Sequence, residues 1–229
     1  MSKPMAPLIV HHIEGRRSER VAWLCEELGL PYELRFTPGD IFNSLYAMTD
    51  VHIMRMAPIL EDGDLKIVES GAILEYLLLR YGKGRLRPSD SASEIADYLQ
   101  WLHFAEGSAM FRGLLERLAR KMPPEAFPPG ERDFYIGMTR RVLDFAEATL
   151  SRRPYFAGAE FTAADIMMHF PLRVLPAVLA GSGIAAAFRD ERSGLEEHPN
   201  VNAFLDRMAA RPAFRQAMAQ AMPNGPPAT

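Results

Sequence analysis

The segment VHIMRMAPILEDGDLKIVESGAILEYLLLRYG, residues 51–82, carries the fold in its punctuation. PILED and LKIV are two short β-like runs separated by Asp-Gly-Asp at 62–64, which is a hairpin signature. Ser70 then opens a helical pattern that sets Ile73, Leu74, Leu77 and Leu78 on one side and ends near Gly82. Pro58 stands where the first of these strands begins. An X-Pro bond is the one peptide bond whose cis form is cheap, about 0.5–1 kcal/mol above trans. A trans Pro58 simply starts a strand. A cis Ala57–Pro58 bond turns the N–H and C=O of Ala57 outward, where they can pair with an extended peptide ligand.

Upstream, LIVHHI (8–13) reads as a strand, and the stretch from Ser18 to Leu28 places Val21, Leu24, Cys25 and Leu28 at helical spacing. Gly29 is a helix stop, and YELRF (32–36) alternates as a second strand. Residues 37–57 look less regular. The order βαβ, irregular segment, ββα is a thioredoxin-like arrangement. Downstream, Gly, Pro and Ser cluster in GKGRLRPSDS (82–91), a linker signal. Helical texture follows over 92–121, 131–151, 162–180 and 199–220, with loops at KMPPEAFPPG, SRRPYFAGAE and a GSG segment. MMHFPLRVLPAVLA, with two prolines, predicts a buried, broken helix. In FTAADI, Thr162 and Asp165 predict a capping box and Phe161 a staple onto Ile166. The expected organisation is an α/β domain over 1–83, a linker over 84–91 and an all-α domain over 92–229.

Composition narrows the function classes. The chain has 229 residues, with 26 basic and 29 acidic side chains and a net charge of −3. It therefore lacks the global basic field of a non-specific nucleic-acid binder, and no nucleic-acid partner is expected. The single cysteine, Cys25, excludes an intrachain disulfide and a multi-thiolate metal site, and fits a reducing, cytoplasmic setting. No leader or membrane span is read from the sequence, so no membrane partner is expected. His11 and His12 are adjacent on a strand, point to opposite faces and cannot chelate one metal together. No metal is expected. Cys25 falls on the apolar side of its helix with no CxxC, which describes a core thiol.

Ser70 has two readings. At a strand-to-helix junction, its hydroxyl and the unpaired N–H groups of the first turn make a carboxylate receptor, with Glu69 attracting the ammonium of the same amino-acid group. Equally, the two residues make a plain helix cap and a solvated acid.

HHIEGRRSERVAWLCEELGLPYELR and the 51–82 segment resemble the N-terminal domain of cytosolic glutathione S-transferases, in particular a bacterial and fungal branch with an SRSxRxxWLLEELGLPYE-like first motif. The all-helical remainder with its FTAADI box looks like the family's C-terminal domain. The resemblance implies a homodimer and glutathione as co-substrate. Glu69 and Ser70 would hold the γ-glutamyl end, the Ala57 backbone before Pro58 would pair with the cysteinyl unit, and His52 would lie at the carboxylate end or serve as a loop residue. It implies transfer of the thiolate to a hydrophobic electrophile in a detoxification role, or related peroxidase or thiol-exchange chemistry. Trp101, Phe104, Met110 and Phe111 would line the electrophile's pocket, or form plain core. Two departures stand out. Arg16 occupies the position of the usual thiol-activating hydroxyl, leaving Arg16 and Ser18 as candidates for stabilising the thiolate, or as loop charge and cap. Ile53, Arg55 and Met56 replace the family's Pro, Gly and Lys. These departures support the alternative of a non-catalytic binding or assembly module.

Overall fold

The computed structural model describes residues 7–90, 92–180 and 194–225. The expectations for the first six residues, for Ser91 in the linker, for the GSG loop at 181–183 and for the last four residues fall outside these.

Among the described residues, those from Pro7 to Arg87, joined by those from Ala209 to Gly225, form one compact unit. Strand β1 (Leu8–His11) is central, parallel to β2 (Tyr32–Arg35) and antiparallel to β3 (Ile59–Asp62). β3 turns through Gly63 (φ 61°) into β4 (Leu65–Val68), giving the order β2-β1-β3-β4. Val10, opposite Leu34 and Leu60, is wholly buried because the β1 face it occupies is the core face. Helix α1 (Glu19–Leu28) ends at Gly29, whose φ of 68° is the left-handed conformation that only glycine adopts without a steric penalty. Between β2 and β3 lies a short helix, α2 (Ile41–Tyr46), where the sequence pattern reads as irregular. Asp40 caps it by accepting from the Asn43 N–H at 2.9 Å, and Ile41 and Leu45 pack on a cluster of Ile13, Met48 and Ile59. α3 (Ser70–Tyr81) completes the motif.

The last helix, α10 (Pro212–Ala221), belongs to this unit, although its texture places it with the 92–229 segment. It lies along α1: Phe214 meets Trp23 edge-on at 4.8 Å, Arg211 pairs with Glu27 at 2.6 Å, and Gln220 donates to Glu26 at 2.8 Å.

The second unit, Pro88–Met208, is helical throughout its described elements. The stretch expected as one helix is α4 (Ile95–Phe104), a π-helical turn (Ala105–Met110) and α5 (Phe111–Lys121). The next divides at Gly137 (φ 88°) into α6 (Glu131–Tyr135) and α7 (Met138–Leu150). α8 (Ala163–Leu179) runs through Pro171 and Pro176 instead of breaking. Its packing against α4 and α7 offsets the two missing donors. α9 (Pro199–Ala209) is separated from α10 because Arg211, ahead of Pro212, is extended (ψ 128°). In the FTAADI box, the Asp165 carboxylate accepts from the Thr162 and Phe156 N–H groups, each at 2.8 Å, while the Thr162 hydroxyl donates to the same carboxylate at 3.1 Å. The return half of the capping box forms. The hydroxyl is drawn to the carboxylate rather than to the Asp165 N–H, which bonds the Thr162 carbonyl at 3.0 Å.

Candidate functional site

The Ala57–Pro58 bond is cis. Pairing between β1 and β3 starts at Ile59, and neither the N–H nor the C=O of Ala57 takes a backbone partner among the described residues. The β3–β4 register sets Ile59 opposite Val68. Carried past the end of the ladder, it brings Ala57 and Ser70 to the same end of the hairpin.

At that end Glu69 holds φ 72° and ψ 111°, a left-handed backbone that a residue with a Cβ adopts at a cost of about 1–3 kcal/mol. Its side chain is exposed and its carbonyl accepts from Ile73 N–H at 2.9 Å, the first bond of α3. Ser70 is buried, and its Oγ accepts from Arg20 Nη1 at 2.9 Å. Arg20, on α1, is itself buried, so a guanidinium stands behind the N-terminus of α3. Helix dipole and cation act with the same sign there, and both favour an anion. Sequence reasoning uses Arg20 only to place the first motif. Its pairing with a serine fifty positions away carries no local signal.

Ser18 is claimed by the fold. Fully buried, its Oγ lies 2.7 Å from His12 Nδ1 and accepts from the Ile13 N–H at 3.2 Å. His12 Nε2 in turn lies 2.8 Å from the Ala221 carbonyl oxygen. Burial depresses the His12 pKa to about 4, with the Ala221 hydrogen bond acting in the opposite sense. The ring is therefore neutral at pH 7: Nε2–H donates to Ala221 and Nδ1 accepts the Ser18 proton. The Ser18 hydroxyl is thus engaged by His12, with the Ile13 carbonyl also within 3.4 Å. Arg16 remains as the loop candidate. It is half-buried, with Nη1 donating to the Gly15 carbonyl at 3.0 Å.

The loop before Pro58 presents an unusual surface. His52 is half-buried and its Nδ1 accepts from the Met54 N–H at 3.2 Å. Arg55 takes φ 48°, and Ile53, Met54 and Met56 are exposed. Lys66 reaches the Val51 carbonyl at 3.2 Å, adding an ammonium that the sequence pattern did not flag. Cys25 is buried, and desolvation pushes its thiol up to about 12, so it stays protonated and inert. His11 bonds Glu61 at 2.5 Å, away from His12, and the described residues hold no group suited to a metal ion.

In the helical unit, the four aromatic and Met candidates divide. Trp101 is wholly buried, stacked on Phe145 at 4.6 Å with Phe156 at 4.5 Å and Phe104 at 5.1 Å. It is core, with no face of the indole exposed, and half-buried Phe104 packs edge-on against both Trp101 and Phe145. Met110 is half-buried and Phe111 exposed, at the junction of the π turn and α5.

A four-stranded thioredoxin-like unit with an open backbone at a cis-proline and an anion-favouring helix start, combined with an all-helical unit, defines a class of two-unit folds. Family comparison places the chain within that class. Residues 11–85 match the family "Glutathione S-transferase, N-terminal domain" and residues 122–212 match "Glutathione S-transferase, C-terminal domain". Glutathione S-transferase 3 of Schizosaccharomyces pombe is 30% identical over 223 residues, spanning 92% of this chain and 86% of that protein. The chain belongs to the glutathione S-transferase family. A glutathione S-transferase structure from Actinobacillus pleuropneumoniae superposes with a TM-score of 0.78 at 24% identity, covering 96% of this chain and 94% of that one, and shows the fold. A Burkholderia graminis glutathione transferase structure, described with two glutathione molecules bound per subunit, has a TM-score of 0.67 at 26% identity, covering 93% and 88%.

Proposed function

We propose that the protein binds glutathione and transfers its thiolate to a hydrophobic electrophile, or runs the related peroxide or thiol-exchange chemistry. The γ-glutamyl carboxylate sits at the Ser70 end of α3, backed by Arg20, with the ammonium near Glu69. The cysteinyl backbone pairs with Ala57, and His52 and Arg55 meet the glycyl end. Arg16 lowers the thiol pKa by its charge, since a neighbouring cation stabilises thiolate. Met110 and Phe111 contribute the apolar surface for the electrophile. Binding would add proximity to ionisation in accelerating transfer. A cytoplasmic homodimer is part of this reading.

The observation that carries it is Ser70, held by a buried guanidinium at a helix N-terminus on the same hairpin end as the open backbone of Ala57. A second reading, a non-catalytic binding or assembly module, draws on a different observation: the Ser18 hydroxyl is spent on His12 and Arg16 stands where the family pattern has a hydroxyl. Two measurements separate these readings. Glutathione at a hundredfold excess over its Kd would stabilise the protein by about 2.7 kcal/mol. Ultraviolet thiolate absorbance of the bound tripeptide against pH then reports its ionisation in wild type and Arg16→Ala. A depressed thiol pKa that returns toward its free value in Arg16→Ala supports transfer. Binding with an unshifted thiol supports the module, and no stabilisation at all defeats both.

A further inference from the structure

Ser18 stands at the start of α1 without capping it. A serine there normally turns its oxygen onto an N–H of the first helical turn, and this side chain makes no such bond. It turns back instead, accepting from the Ile13 N–H at 3.2 Å and lying 2.7 Å from His12 Nδ1. His12 is wholly buried with Phe36 edge-on to its ring at 4.7 Å, and its other nitrogen lies 2.8 Å from the Ala221 carbonyl oxygen. Stability does not call for this arrangement. Two apolar side chains of matching shape at 12 and 18 would leave a fold about as stable, and a serine free to cap α1 would add to it.

What the pair does hold is the segment between its members. β1 leaves the sheet beside the open backbone: continued past His11 and Ile59, the β1–β3 register sets Ile13 next to Ala57, and both pack in the cluster with Met48 and Ile59. The segment then pivots at Gly15, φ 64°. Ahead of the pivot Glu14 is fixed by the Gly39 N–H, which donates to its carboxylate at 2.6 Å. Behind it the Arg16 carbonyl accepts from the Glu19 N–H at 3.1 Å, so Arg16 moves with the start of α1. In sequence Ser18 lies two residues after Arg16 and two before Arg20, which reaches Ser70. We infer that His12 is a positioning residue for the thiolate of bound glutathione, acting through Ser18 to fix where the Arg16 guanidinium stands. The Ala221 carbonyl supplies the tautomer this needs: with Nε2–H committed to it, Nδ1 is left as acceptor for the Ser18 hydroxyl. This role rests on the proposed binding of glutathione with Arg16 as the counter-charge of its thiol. Placement matters there because Coulomb attraction weakens with distance, and a misplacement of about 1 Å can cost about a hundredfold in rate.

The test reads the thiol and the tripeptide separately. Ultraviolet thiolate absorbance against pH gives the ionisation of bound glutathione. Calorimetric titration with S-methylglutathione, which has no ionisable thiol, gives the affinity of the tripeptide site. Asparagine and glutamine at position 12 divide the two bonds of the ring. The Asn amide oxygen falls where Nδ1 stands and can accept from Ser18, but the side chain is too short for Ala221. The Gln amide nitrogen falls where Nε2 stands and can donate to Ala221, but Ser18 loses its acceptor. His12→Asn is expected to keep the depressed thiol pKa of wild type. His12→Gln and Ser18→Ala should each raise it toward the free-thiol value of about 8.5. The two rises should be equal, with no further rise in the double variant, since the side chains act as one unit. S-methylglutathione affinity should stay at the wild-type level throughout. His12→Asn removes more volume and the bond to α10, so it should have the lower thermal midpoint of the two position-12 variants. A role in packing alone therefore predicts the opposite order, and a thiol pKa that follows thermal stability overturns the inference. So does a wild-type thiol pKa in His12→Gln, an equal rise in both position-12 variants, or weakened S-methylglutathione binding in His12→Gln. Loss of the shift in Arg16→Ala but not in His12→Gln removes His12 alone. An unshifted thiol on the wild-type protein, or no binding of either ligand, defeats the transfer reading and the role of His12 with it.

Discussion

Arg20 Nη1 donates to Ser70 Oγ at 2.9 Å, joining α1 to the first residue of α3 inside the sheet unit. A hydroxyl whose lone pair serves a guanidinium is fixed in orientation and sits in a positive potential. Arg20→Met keeps most of the apolar stem and removes the charge. Calorimetric titration should show glutathione affinity falling by at least tenfold, the loss of about 1.5–3 kcal/mol typical of a charged hydrogen bond. Affinity unchanged in this variant would remove Arg20 from the site.

Ser70→Ala probes the other partner. The same affinity loss is expected for glutathione. Cysteinylglycine, which lacks the γ-glutamyl carboxylate, should bind wild type and variant alike. Equal losses for both ligands would mean that Ser70 supports the fold rather than the γ-glutamyl end.

Acid should act on two buried groups in opposite directions. His12 has a folded pKa near 4 against 6.5 unfolded, so its contribution is complete above pH 6.5. Between pH 6.5 and 4 the unfolded chain takes up a proton that the buried ring refuses, and about 3 kcal/mol of stability is lost. Asp165 in the helical unit is pushed up by burial to about 6 against its hydrogen bonds. Below pH 6 the folded state takes up the proton first, and that site gains stability as pH falls toward 3.8. Denaturant titrations should therefore show His12→Gln blunting the acid loss and Asp165→Asn steepening it. The same slope in all three proteins would contradict the assignment.

Trp101→Ala should cost about 3–5 kcal/mol in unfolding free energy, as expected for an aromatic removed from a packed core. Its three ring partners, Phe104, Phe145 and Phe156, would be left around a cavity. A wild-type denaturation midpoint would show instead that the indole is dispensable to packing.

Gly113→Ala sets helix propensity against space. Alanine favours the helix by about 1 kcal/mol, but its Cβ would fall 2.2 Å from Leu175 Cδ2, which is buried and must move. Overpacking costs about 1–3 kcal/mol, so the expected net effect is a loss, read as a lower thermal midpoint. A higher midpoint would show that Leu175 finds another rotamer without strain.

What the sequence displays is local. The Asp-Gly turn, the glycine after α1 and the proline before β3 each act within a few residues, and the strands and α1 stand where these signals put them. Glu69 and Ser70 are legible for the same reason, because a helix start is a neighbourhood property. Ser18 and Arg20 are not. Each is decided by a partner brought close by tertiary packing, His12 for one and Ser70 for the other. Trp101 shows the same limit, since helical spacing says that a face is apolar without saying whether protein or ligand covers it. The six residues of α2 are too few to display a period, and α10 bears no mark of the unit it joins.

The seating of α10 on α1 bears on the order of events during synthesis. Domains commonly assemble in the sequence in which they leave the ribosome. Here Trp23 and His12 receive Phe214 and the Ala221 carbonyl only after the intervening helical segment has been made. The nascent sheet unit must wait with that flank uncovered while the helical unit is translated in between.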